Sequence, residues 1–138
     1  MVRMTLRLLH SSRLACITAT WLLCATAWAQ AGAACDPAST DVASTNACAV
    51  QRFQHTDSAH NILYSDVMRA LSAHERPALR KDQTQWSRQR TSTCKTQHAH
   101  EEALPAWPQH YHDCLTTVTE QRRAALLHWL QHGQAPHS

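Results

Sequence analysis

Two histidine-rich segments hold the side chains best suited to chemistry. His98-Ala99-His100-Glu101-Glu102 and His110-Tyr111-His112-Asp113 gather imidazoles and carboxylates within a short stretch. Both groups are ligands for zinc, copper or nickel. Residues two apart share a side on an extended backbone and point apart on a helix. A metal site built from His98, His100, His110 and His112 therefore requires extended backbone at both ends. His-x-His spacing is less specific than paired Cys-x-x-Cys, and histidine occurs throughout the chain, eleven times in all. A solvated, histidine-rich loop is the simpler reading, and no cofactor is expected. Between the two segments, Pro105 and Pro108 enclose Ala106 and Trp107. Glu101 and Glu102 with Trp107 make a candidate contact surface for a partner, charged at one end and apolar at the other. Trp107 also suits a lid over the core, which is the slightly favoured of the two roles.

A second polar set lies on apolar helix faces: Asp57, Asn61, Gln83, Arg90, Thr119 and Arg122. Two arginines and a carboxylate can form an active site, but more often form a hydrogen-bonded clamp that fixes helix register. Neither a nucleophile–base pair nor a second carboxylate accompanies them at a catalytic spacing. The expectation is a clamp, and a protein that is not an enzyme.

The elements that position these residues follow from periodicity and punctuation. Glycine occurs only at Gly32 and Gly133, so tight strand turns are not encoded and helices are favoured. Phe53, Asp57, His60, Tyr64, Val67 and Leu71 recur at spacings of three and four, one helical face between about Ser44 and His74. Pro77 suits a first helical turn, so a second helix starts near Arg76, with Leu79, Gln83, Trp86, Arg90 and Cys94 on one face. Tyr111, Leu115, Val118, Arg122, Ala125 and Trp129 define a third, and Gly133 is placed to cap it. The fold class is all-α, an antiparallel three-helix bundle. Its apolar core is small, and a core of that size commonly needs covalent staples.

The amino terminus has the character of an export leader. Arg3, Arg7 and Arg13 precede an apolar run from Leu14 to Ala27 that ends in Ala27-Trp28-Ala29. A basic head, an apolar core and small residues at −3 and −1 are what signal peptidase reads. The run is too short for a membrane span, so cleavage near Ala29 leaves no anchor. A lipidated Cys35 would require a leucine that Gly32-Ala33-Ala34 lacks. The expected organisation is a leader over 1–29, a helical domain over 30–132 and a flexible tail over 133–138. Three of the thirteen basic residues belong to the leader, so ten remain against ten acidic ones. A neutral mature chain removes the support for nucleic-acid binding.

Cys16 and Cys24 leave with the leader, while Cys35, Cys48, Cys94 and Cys114 stay, an even set in an oxidising compartment. If the first two helices form a hairpin bent near Arg76, Cys48 and Cys94 stand about 15 Å apart along the axis at ~1.5 Å per residue. That exceeds the ~4.4–6.8 Å Cα separation of a disulfide. Two pairings survive: Cys35–Cys48 with Cys94–Cys114, or Cys35–Cys94 with Cys48–Cys114. Local closure favours the first.

These motifs together resemble a known family. Asp57-x-x-His60-Asn61-x-x-Tyr64 resembles the Asp-x-x-Leu-Asn-x-x-Tyr signature of the LprI-like lysozyme-inhibitor domain. Leu79-x-x-x-Gln83-x-x-Trp86-x-x-x-Arg90-x-x-x-Cys94 is similar to its second motif, and Cys114-Leu115-x-x-x-Thr119-x-x-Arg122-x-x-x-Leu126 to its third. The resemblance runs from about Cys35 to Leu130. His60 stands in place of leucine, Asp82 in place of alanine before Gln83, and Thr91 in place of the acid after Arg90. The resemblance implies a helical, exported domain, periplasmic or secreted, that binds and inhibits a c-type lysozyme or meets another envelope protein. Rival readings from the histidines are a periplasmic metal-binding protein and an acid or envelope-stress protein.

Overall fold

The computed structural model describes residues 32–136; the expected leader and the last two residues of the expected tail lie outside them. Three helices account for most of the described chain: α1 over Val42–Ala70, α2 over Arg76–Gln97 and α3 over Trp107–His132, with a 3-10 turn at Ala99–Glu101. There is no strand among the described residues. The fold is the three-helix bundle that the periodicity predicts, with α2 antiparallel to both neighbours.

Local chemistry sets the helix ends. The Asp41 side chain accepts from Ser44 N at 3.0 Å and caps α1, the role that carboxylates play at an N-cap. Hydrogen bonds from Ser39 and from Ser44 N hold the Asp41 carboxyl below its usual range. α2 opens with Pro77 in its first turn, where a missing N–H costs nothing. Between them the Glu75 carboxylate accepts from Ser72 N at 2.8 Å, and Arg76 Nε donates to Leu71 O at 3.0 Å. At the far end Gly133, with φ 66°, closes α3 by donating its N–H to Trp129 O at 2.9 Å. A side chain there would meet strain at that φ and would bring its Cβ against Glu75 Oε1.

α1 and α3 run in the same direction and pack closely along their length. Near their starts, Asn46 Nδ2 donates to Pro105 O at 2.8 Å, its Oδ1 accepts from Gln109 N at 3.0 Å, and Arg52 meets Asp113 at 2.6 Å. At the other end Val67, Leu71, Leu79, Leu126 and Trp129 form the apolar core, with Leu63, Tyr64 and Met68 against it. Burying a side chain such as Leu79 or Leu126 contributes about 1.5–3 kcal/mol. α2 stands further from α1 and reaches it through long polar side chains.

The cysteines pair as Cys35–Cys48 and Cys94–Cys114, with Cα separations of 4.5 and 5.7 Å. The first ties the segment before α1 to that helix. The second joins the last turn of α2 to α3 and closes the loop between them.

Candidate functional site

The middle of the bundle is occupied by the polar residues. Arg90 Nη1 donates to Asp57 Oδ1 at 2.7 Å and to Thr119 Oγ1 at 2.8 Å, so one guanidinium joins all three helices. Thr119 Oγ1 in turn donates to Leu115 O at 2.6 Å. Asn61 donates to the other Asp57 oxygen at 3.1 Å from an exposed position at the outer edge. Arg122 Nη2 donates to Asp82 at 2.8 Å and its Nε to Gln83 Oε1 at 3.4 Å. The Trp86 ring lies against both guanidinium groups, 4.8 Å from Arg90 and 5.4 Å from Arg122. Those contacts place the cations against an aromatic face that offsets part of their desolvation. The six sequence-derived positions fall into two hydrogen-bonded groups, Asp57, Asn61, Arg90 and Thr119 in one and Gln83 and Arg122 in the other, which meet at the Trp86 ring.

The network fixes a tautomer. Gln83 Oε1 faces Arg122, a donor, so the Gln83 amide nitrogen must face His60 Nε2, at 2.7 Å. His60 Nε2 is then an acceptor and its ring is neutral, with the proton on Nδ1. Burial, followed by the nearby Arg90 charge, pushes the His60 pKa down.

The loop between the second pair of cysteines lacks the extended ends that a site of all four histidines requires. Ala99–Glu101 is a 3-10 turn and His110 already lies in α3, so neither end is extended. His98 and His110 converge on Glu101: His98 Nδ1 lies 3.3 Å from Glu101 Oε2, and His110 Nδ1 bonds the same oxygen. His100 Nε2 is 3.4 Å from Glu101 Oε1 on a largely exposed side chain. His112 is turned away by the helix, its Nδ1 donating to Pro108 O at 2.6 Å and its ring beside Phe53. The structure therefore gathers two of the four histidines tightly and a third loosely.

Glu101, expected to face a partner, is taken up by these imidazoles, and its carboxyl is held below its usual range chiefly by the His110 hydrogen bond. Glu102 is exposed, as is Leu104, at 54%. Trp107 stacks on Tyr111 with centroids 5.0 Å apart and planes 6° from parallel. Its Nε1 is buried with no hydrogen-bond partner among the described residues. Trp107 is half-buried, and the exposed apolar side chain of the loop is Leu104.

A family model described as lysozyme inhibitor LprI matches residues 35–126. The chain belongs to the LprI lysozyme-inhibitor family. The LprI match begins at the first cysteine of the first disulfide and takes in the clamp, the loop and the second disulfide. No curated protein and no solved structure matches the chain. The LprI family is named for inhibition by binding and not for a reaction.

Two departures from the LprI pattern are built into the clamp. Asp82 accepts from Arg122 and, at 2.6 Å, from Trp129 Nε1. His60 accepts from Gln83 and packs on Trp86 with ring centroids 4.6 Å apart. Sequence reasoning noted both residues without giving them partners. Asn46 was missed altogether, since an asparagine inside a helical face gives no sign that it will pin a distant loop.

Proposed function

We propose that this LprI-family domain is an exported binding module that inhibits a c-type lysozyme by protein–protein contact, through the loop between Cys94 and Cys114. The observation that carries the reading is the family match, which spans that loop and both cysteines that close it. The leader-like amino terminus supports a periplasmic or secreted location, and no helix among the described residues is long and apolar enough to cross a membrane.

The geometry supports the loop as the contact surface. Its ends are fixed by a disulfide, by the Asn46 hydrogen bonds to Pro105 O and Gln109 N, and by the stacked pair Trp107–Tyr111. A loop held in this way loses little conformational freedom on binding. Rigid scaffolds commonly present function on such loops. Glu102 beside Leu104 offers a carboxylate and an apolar side chain to a basic enzyme. Because the mature chain is neutral, long-range steering contributes little, and affinity rests on close contact. The test is a pair of reversals at the tip, Glu102→Arg with Leu104→Asp. The doubly substituted protein should keep its helical content and thermal midpoint and lose lysozyme binding. Undiminished binding by that protein would remove the loop tip from the interface.

A further inference from the structure

The end of α2, the 3-10 turn and the first turn of α3 bring one donor atom each from His98, Glu101 and His110 to within 4.8 Å of one another. We propose that these three side chains form a binding site for a divalent transition-metal ion, zinc in the first instance, at the base of the loop. The site goes beyond the inhibitor reading and does not depend on it.

Spacing is the first argument. Zinc–ligand bonds of ~2.0–2.2 Å in a tetrahedron place neighbouring ligand atoms roughly 3.3 Å apart. His98 Nδ1 and Glu101 Oε2 stand at 3.3 Å, and His110 Nδ1 reaches the same oxygen. Only small rotations separate this arrangement from one centred on an ion. His98 and Glu101 are 17% and 19% exposed, so their conformations are restricted by packing before any ligand arrives. The Cys94–Cys114 bridge holds the two helices that carry the histidines, with Cα atoms 5.7 Å apart.

The donor set is the second argument. Two imidazole nitrogens and one carboxylate oxygen suit zinc, whereas calcium and magnesium prefer all-oxygen sites and copper(I) prefers sulfur. Three protein ligands leave a fourth position open. His100, with Nε2 3.4 Å from the other Glu101 oxygen, stands outside the set within 4.8 Å, so water would take that position. A shallow cleft lined by Gln97, His98, His110, Asp113, Cys114 and Thr117 lies beside the two histidines. His112 takes no part, because its Nδ1 is committed to Pro108 O on another side of α3.

Protons compete for the same space. A carboxylate oxygen can only accept, so both imidazoles facing Glu101 Oε2 present N–H groups to it when no metal is bound. An ion must displace those protons from Nδ1, and a neutral imidazole can carry its proton on Nε2 instead. Occupancy would replace two N–H···O contacts by a single node joining both ends of the loop.

Calorimetric titration of zinc into the oxidised, chelator-treated protein tests the site. Wild type should bind one equivalent. His98→Gln and His110→Gln should each lose at least the ~10–100-fold in affinity that follows loss of a mere supporting partner. His112→Gln should bind as wild type does. Saturating zinc should raise the thermal midpoint of wild type and His112→Gln, and leave that of His98→Gln unchanged. The proposal is overturned if wild type shows no one-to-one binding at micromolar zinc. It also fails if both His98→Gln and His110→Gln bind undiminished, or if His112→Gln loses affinity to the same extent.

Discussion

The Asp82 carboxylate lies 2.6 Å from the Trp129 indole nitrogen, and the same oxygen receives Arg122 at 2.8 Å. An acid on α2 thereby satisfies two donors on α3, at the border between the apolar core and the polar clamp. Trp129 is 3% exposed and the Arg122 side chain 7%, so neither donor can turn to bulk water when Asp82 is removed. Asp82→Ala should cost about 1–3 kcal/mol, the range for buried donors left unpaired. Urea unfolding at neutral pH measures it, and a loss below about 0.5 kcal/mol, the scatter of ordinary surface substitutions, would deny the contact its weight.

Arg90 is the member of the clamp that touches both other helices. Arg90→Ala removes the partner of Asp57 and Thr119 and uncovers the faces of Trp86 and Phe53. Because Asp57 keeps some access to water, the cost should sit at about 2–4 kcal/mol, toward the lower part of the range for a broken buried pair. Yield and melting temperature should fall, while the fraction that folds should bind its partner normally. A fully stable Arg90→Ala protein that had lost binding would make Arg90 a contact residue and not a clamp.

The positions of the polar residues were legible in the sequence because they occupy helical faces. Gln83, Arg90 and Arg122 fall where periodicity calls for buried residues, and a buried arginine needs an acid nearby. The caps at Pro77 and Gly133 were legible for the same local reason. The loop was not. Whether His110 and His112 point together depends on where α3 begins, and the helix opens at Trp107 instead of near Tyr111. Pro108 in the first turn and the Asn46 contact with Gln109 N set that start, and the second comes from a helix far away in sequence. Glu101 shows the same limit: nothing local distinguishes it from Glu102, yet one is enclosed by imidazoles and the other faces solvent.

Stability should decline on the acid side through His60. Its folded pKa lies below the ordinary 6.5, so the folded state binds fewer protons than the unfolded chain as pH drops beneath that value. The contribution is fully present above 6.5 and is lost as pH falls toward the depressed folded value, at up to about 1.4 kcal/mol per pH unit. Glu101, also depressed, acts only below its ordinary 4.5 and lies outside this window. His60→Leu should flatten the decline measured by urea unfolding between pH 7.5 and 5. An equally steep decline in the variant would assign the acid sensitivity elsewhere.

Both disulfides should be fully formed in the exported protein, leaving no titratable thiol among Cys35, Cys48, Cys94 and Cys114. They close spans of 13 and 20 residues, so replacing either pair by serine should cost a similar amount, about 3 kcal/mol. Their functional effects should differ. Loss of Cys94–Cys114 frees the ends of the loop and should weaken lysozyme binding in the folded protein; loss of Cys35–Cys48 should not. Equal binding by the two serine pairs would separate the loop closure from recognition.

Titrating the oxidised protein into a c-type lysozyme while cell-wall lysis is followed tests whether this LprI-family domain inhibits the enzyme by contact. Inhibition should be saturable, reach completion near one equivalent at micromolar concentration, and be relieved by Glu102→Arg with Leu104→Asp. Undiminished lysis in the presence of excess, correctly folded wild-type protein would contradict it.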